Sequence, residues 1–171
     1  IACSLDKVGS SAPITLRGDI ESLCERSRKY GYEGIEIQLA NPGNFDWDKI
    51  RKTTDDYGIT VTALATGREF HQNKLFLLDE NPAVRRAAIE RLKEHIDVGA
   101  KVGAMVIVGS MRKDIPDFKR YDYYEGLHNE AVIELAEYAE PKNVTIVLEN
   151  ILSFTSNFMN TMRQTADVVR K

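Results

Sequence analysis

Two carboxylates occupy positions from which they could do chemistry. Glu149 closes the apolar, β-branched run Val144, Thr145, Ile146, Val147, Leu148, and Glu36 lies inside the run Gly34, Ile35, Glu36, Ile37, Gln38. Side chains alternate between the faces of a strand, so Ile35, Ile37 and Leu39 share one side while Glu36 and Gln38 share the other. Ile146 and Leu148 likewise oppose Thr145, Val147 and Glu149. A carboxylate at the C-terminal end of a strand suits general acid/base work or ligation of a hard divalent cation. It could equally cap the next loop or pair with a lysine.

Other side chains invite weighing. Arg112 and Lys113 follow a third apolar run and could clamp a phosphorylated or carboxylated ligand, or simply face solvent. His71 follows Arg68 and Glu69 in a polar loop. His95 and His128 fall inside helical patterns and read as structural or exposed, and Trp47 reads as core. There is no G-x-x-x-x-G-K-[ST], G-x-G-x-x-G or G-x-S-x-G pattern and no cysteine nucleophile setting, and the loop from Asp6 is not a P-loop.

The elements that must position these residues alternate between strand and helix, the signature of parallel α/β architecture. Strands are predicted at 1–5, 34–39, 60–66, 104–110 and 144–150. The first helix turns Ile20, Leu23, Cys24 and Ser27 to one face and is capped near Gly31. The second starts after Asp46 and buries Trp47 and Ile50, with Tyr57 a further candidate, before Gly58. Asn81 and Pro82 open the third, in which Val84, Ala88, Leu92 and Ile96 recur at steps of four, to about Lys101. The fourth covers 121–139 with Leu127, Ala131, Leu135 and Tyr138 inward; a fifth begins at a Thr161/Gln164 capping box and runs to the end of the chain. The long loops, 6–17, 67–81 and 111–120, all follow strands, which puts the functional surface at the strands' C-terminal ends. Charge on one strand face favours a barrel over a flat sheet with helices on both sides.

Composition narrows the class. With 171 residues, 43% hydrophobic and 29% charged, the chain reads as one globular domain. A formal charge of −3, from 23 basic and 26 acidic residues, offers no general attraction to nucleic acid or anionic membranes. No apolar run approaches the roughly 20 residues of a membrane-spanning helix. Cys3 and Cys24 form no C-x-x-C motif and read as buried thiols in a reducing cytoplasm.

The sequence around Val147, Leu148, Glu149 and Asn150, followed by Asn157, Phe158, Met159, Asn160 and Thr161, resembles the xylose-isomerase-like TIM-barrel superfamily, the sugar phosphate isomerases and epimerases. The stretches 81–97, 103–109 and 34–37 resemble its third helix, fourth strand and second strand, in the same order. The resemblance implies a partial TIM barrel holding five of eight βα units, as a single domain 1–171 that stops before strand six. It implies a divalent-metal-dependent sugar isomerase or epimerase working through an enediolate, with Glu149 both metal ligand and acid/base. The metal would be Mg, Mn or Zn, and the remaining ligands would come from strands six to eight. Thr155 stands where the epimerases tend to carry a second acidic residue, which counts against sugar 3-epimerase activity and leaves isomerase or lyase chemistry open.

On this reading Glu149 is catalytic and metal-binding, and His71, Arg112 and Glu36 bind a small sugar or sugar phosphate. His71 would contact a sugar hydroxyl, a phosphate or a metal, or remain a solvated loop histidine. Five strands in barrel order leave open edges, so either a further barrel half or a second copy is expected to cover them, and the five units alone should be inactive. Two alternatives stand beside this one. A complete flavodoxin-like binding module would show the strand order 2-1-3-4-5, and a nuclease of the same superfamily would act at abasic sites.

Overall fold

The alternating pattern folds into a parallel α/β sheet in the computed structural model, which describes residues 1–6 and 14–170. Its strands are β1 (Ala2–Ser4), β2 (Leu16–Arg17), β3 (Gly34–Gln38), β4 (Thr60–Ala65), β5 (Met105–Val108) and β6 (Ile146–Leu148). Its helices are α1 (Ile20–Lys29), α2 (Trp47–Tyr57), α3 (Gly67–Gln72), α4 (Pro82–Val102), α5 (Tyr121–Ala139) and α6 (Met162–Val169). Among the described residues every strand pair is parallel, in the order β2-β1-β3-β4-β5-β6. The strands that helices connect, β1, β3, β4, β5 and β6, therefore lie side by side in chain order. Successive units of a βα barrel do this, whereas a flavodoxin-like sheet reverses direction across its first strand. The two-residue β2 extends the outer edge of β1 and falls within the stretch 6–17 that sequence patterning reads as a loop.

Register explains why the sheet presents one bare face. Cys3, Ile37, Leu64, Val106 and Ile146 stand in one row across the strands, and the first four of these are almost completely buried. Helices cover this side: α1 and α2 bring Leu23, Cys24, Trp47 and Ile50, and α4 and α5 bring Ala88, Leu92, Ile96, Ala131 and Leu135. The opposite row is Ala2, Glu36, Ala63 and Met105, and Met105 is 41% exposed. Covering one face and leaving the other open to polar side chains is the arrangement of a barrel wall, so the fold is a partial TIM barrel. A third cluster, with Tyr124, Phe158, Met159 and Val168, joins α5 and α6 to the segment after β6.

Capping follows the sequence closely. The Asp46 carboxylate accepts from the backbone N–H of Asp48 and Lys49, the Asn81 side chain accepts from Ala83, and Thr161 and Gln164 form the expected capping box. Gly58 ends α2 with φ 60°, a left-handed conformation that a Cβ would penalise. Cys3 and Cys24 are free and buried.

Several elements differ from expectation. The loop 67–81 contains α3, and the loop 111–120 begins and ends in 3₁₀ turns. Tyr57 is exposed, and Leu127 and Tyr138 are only half-buried. The buried face of α5 is Tyr124, His128, Ala131, Leu135 and Ala139, rotated from the purely apolar stripe because a tyrosine and a histidine serve as core residues. The loop positions 7–13 and the final residue of the fifth helix, Lys171, lie outside the described residues. No helix among the described residues is long and apolar enough to cross a membrane.

His95 on α4 and His128 on α5 are both fully buried, and burial holds their rings neutral, with pKa values lowered to about 3 and about 4. In the unfolded chain both rings take up a proton near pH 6.5, so the unfolded state binds more protons below that point. Stability is thus expected to fall as pH drops from about 6.5 towards 4, by up to about 3 kcal/mol for His128. Urea unfolding of wild type and His128→Gln at pH 7 and pH 4.5 checks this. The wild type should lose more stability than the variant across that interval, and equal losses would remove His128 as the cause.

Candidate active site

A cleft of about 350 Å³ opens at the C-terminal ends of β3, β4, β5 and β6. Its floor comes from the bare face of the sheet: Gln38, Ala65 and Ile107 pair in one row and all three line it. Glu36, Glu149 and His71 are brought together in this cleft. Three of the four residues singled out from sequence thus meet in one place.

Glu149 is the first residue beyond β6, where its N–H donates to the Val108 carbonyl at 3.1 Å and continues the sheet pairing. Its carboxylate lies over Gly109: a Cβ built on Gly109 would come within 2.2 Å of Glu149 Oε2. Only a glycine at that position lets the carboxylate occupy the space. No side chain among the described residues hydrogen-bonds this carboxylate. Partial burial pushes its pKa above the usual carboxylate range, the Arg112 charge pulls it back, and Glu36 pushes it up again. A half-enclosed carboxylate with no such partner among the described residues, tuned upwards, is suited to accepting and returning a proton. Glu36 projects from the polar face of β3 and accepts a hydrogen bond from Gln38 Nε2 at 3.2 Å.

His71 sits on α3, where its ring meets Phe70 edge-on with centroids 5.0 Å apart. It also borders a smaller neighbouring cleft of about 90 Å³ with Phe70, Ser110, Ile151 and Thr155. His71 is therefore the wall between two spaces, in a helix where the sequence suggested a loop.

Arg112 corrects the expectation of an anion clamp. Its side chain is buried, and its guanidinium makes five hydrogen bonds to four backbone carbonyls, those of Gly109, Glu149, Phe158 and Met159. A guanidinium has five N–H groups, so none is left for a substrate. Arg112 is a tie between the end of β5 and the segment after β6. Lys113 is similarly engaged, with Nζ 2.9 Å from Asp79 and 4.3 Å from the centre of the Phe76 ring.

Among the described residues no group of three or more His, Cys, Asp or Glu side chains is arranged to hold a metal ion. Glu149 has the chemistry of one hard oxygen ligand, with no hydrogen bond to its carboxylate among the described residues, and it fits a divalent cation in that capacity alone. Sequence reasoning missed Gly109, whose role depends on how closely one loop approaches another; the Gly109-Ser110 pair ending a strand was the available signal.

Comparison with known proteins agrees with this architecture. A model of the xylose isomerase-like TIM barrel family matches residues 24–171. The ketose 3-epimerase of Arthrobacter globiformis is 26% identical over 142 residues, which is 82% of this chain and 48% of that protein. The chain therefore spans about half the length of this curated relative. Among solved structures, the 3-keto-D-glucoside 4-epimerase from E. coli superposes with a TM-score of 0.76 at 14% identity, covering 98% of this chain and 63% of that one. The D-allulose 3-epimerase from Methylomonas sp., in complex with D-allulose, gives 0.74 at 20% identity, covering 88% and 52%. At such identities the structural likeness speaks for the fold. With its strands in barrel order and the family model matched over most of its length, the chain belongs to the xylose isomerase-like TIM-barrel family.

Proposed function

We propose that the whole protein is a sugar epimerase or isomerase and that Glu149 is its proton-transferring carboxylate. One observation carries the reading: a carboxylate with raised pKa and, among the described residues, no hydrogen-bonding partner, held over Gly109 in a cleft that also presents Glu36 and His71. The family's relatives named above, each an epimerase by description, support the same class.

Epimerisation and aldose–ketose isomerisation both begin by removing the hydrogen from a carbon next to a carbonyl. Glu149 in its ionised form takes that proton, leaving an enediolate, and the protonated carboxyl is then a source from which a proton returns to carbon. Return from Glu149 to the neighbouring carbon on the same side isomerises; epimerisation would need a second acid to deliver a proton to the opposite face of the original carbon, a role that Glu149 alone does not fill. Glu36 accepts hydrogen bonds from sugar hydroxyls, with Gln38 fixing its orientation, and His71 contacts the sugar from α3. A divalent cation such as Mg, Mn or Zn, with Glu149 as one of its ligands, would supply Lewis-acid polarisation of the sugar oxygens. The rest of that ligand set would have to come from outside the residues described. Thr155, which borders the smaller cleft, supplies no second carboxylate.

In the full-length protein, Glu149→Gln is expected to lower kcat by about 10²–10⁴-fold and to stop wash-in of solvent deuterium at the reacting carbon. Turnover within about tenfold of wild type would remove Glu149 from the role. Gly109→Ala forces the carboxylate from its place and should cost about 10²-fold in kcat with little change in fold, as seen by circular dichroism.

The pH profile gives a separate check. The base must be ionised, so kcat/KM falls as pH drops through the pKa of Glu149, which burial raises and a bound cation would lower. Because the Glu36 charge contributes to raising it, Glu36→Gln should move the acid limb to lower pH. An unmoved limb, or one moved upwards, would show that the two carboxylates do not interact in the working enzyme.

A further inference from the structure

Helix α3 brings Arg68 and His71 to the cleft, yet little within the helix holds it there. It is six residues long and its N-cap residue, Thr66, caps nothing, its hydroxyl donating instead to the Ile107 carbonyl at 2.8 Å. Helices this short do not persist on their own, so tertiary contacts decide where His71 points. Two ion pairs supply those contacts from opposite sides. Arg68 Nε lies 3.1 Å from Asp6 Oδ2, with both side chains largely buried. The adjacent residue, Glu69, is fully buried and accepts from Arg91 Nη1 at 2.8 Å and from Asn73 Nδ2 at 2.6 Å.

Geometry makes the pairs complementary. At 3.6 residues per turn, Arg68 and His71 project within about 60° of each other while Glu69 projects away from His71 by roughly 160°. Holding Arg68 on the cleft side and Glu69 on the core side fixes the rotation of the helix about its axis. Both holds also converge on one residue two positions past β3: Asp6 Oδ2 accepts from Ala40 N–H at 3.0 Å, and Arg91 Nη1 donates to the Ala40 carbonyl at 3.4 Å. His95 packs beside Glu69, with Nε2 3.9 Å from Oε1, but its two ring nitrogens make no hydrogen bonds and burial keeps the ring neutral. Arg91 is therefore the charge that balances Glu69. A buried ion pair is a weak source of stability compared with apolar packing, and geometric specificity is the better-attested reason to retain one.

We propose that Arg91 and Asp6 are positioning residues which, through Glu69 and Arg68, fix α3 so that His71 stands in the cleft with Glu149. The proposal rests on the reading that this cleft takes the sugar, and its test includes a readout independent of turnover. In the full-length protein, Arg91→Met, Arg91→Lys and Asp6→Asn are compared by NMR of the His71 imidazole without sugar and by ketose kinetics. Arg91→Met and Asp6→Asn should each displace the His71 ring resonances and raise KM about tenfold with kcat within about threefold, and Arg91→Lys should recover most of the wild-type behaviour. His71 resonances unchanged in both Arg91→Met and Asp6→Asn would overturn the proposal. If Arg91→Met fails to fold, Asp6→Asn decides by the same readouts, since its carboxylate lies at the rim and its loss strands no fully buried charge. Displaced His71 resonances in a protein that turns over no ketose would support the positioning role while refuting the proposed reaction.

Discussion

Everything in this chain depends on the sheet being dry on one face only. The row Cys3, Ile37, Leu64, Val106 is sealed by helices, and the apolar area buried there is the main favourable contribution to folding. Because all of that burial lies on one side, Glu36, Gln38 and Glu149 can project from the other without the cost that a two-sided sheet would impose on buried charge. The polar cleft is thus a consequence of one-sided helix packing. Parallel pairing does the rest, since it sends every strand's C-terminal end in the same direction and gathers Gln38, Thr66, Gly109 and Glu149 at one rim.

Glu149 and His71 reach that rim by different means. Glu149 continues the backbone pairing of β6 with β5, so its placement comes almost directly from strand register. The segment that follows has no such ladder and is held by the guanidinium of Arg112, whose bonds to the Glu149, Phe158 and Met159 carbonyls replace backbone pairing with side-chain pairing. The short α3 has neither ladder nor cap and depends on ion pairs. Precision therefore falls from strand to loop to short helix, and buried charged side chains appear where it falls.

The sequence was most readable where a local rule decides the outcome. Alternation in 34–39 and 144–150 put Glu36 and Glu149 on the polar face because period two is a property of single strands. The caps at Asp46, Asn81 and Thr161 needed no tertiary information either. What escaped were features set by distant contacts. Arg112 looked like an anion clamp because a charged residue at a strand end usually faces solvent; its burial is fixed by carbonyls about 40 residues away. Helix α3 was hidden because six residues carry too little periodicity to register. His128, by contrast, reads from sequence as structural or exposed and is structural: its neutral imidazole packs edge-on against Phe158 at 5.2 Å in the core.

The different fates of the carboxylates follow from what their cationic neighbours have left to give. Glu69 meets an arginine with an available N–H, and the resulting pair ties two helices together. Glu149 also has an arginine nearby, yet every N–H of Arg112 is already committed to a carbonyl. The charge of Arg112 is felt at Glu149 only through space, too weakly to overcome partial burial, and the pKa stays raised. Glu69 shows that a guanidinium hydrogen bond offsets burial without overturning it: its pKa is raised as well, by burial first, with the Asn73 and Arg91 hydrogen bonds pulling it back. The five hydrogen bonds that fix the segment after β6 therefore also leave Arg112 acting on the Glu149 carboxylate through charge alone, so order in that segment and the electrostatics of the carboxylate are linked through one side chain.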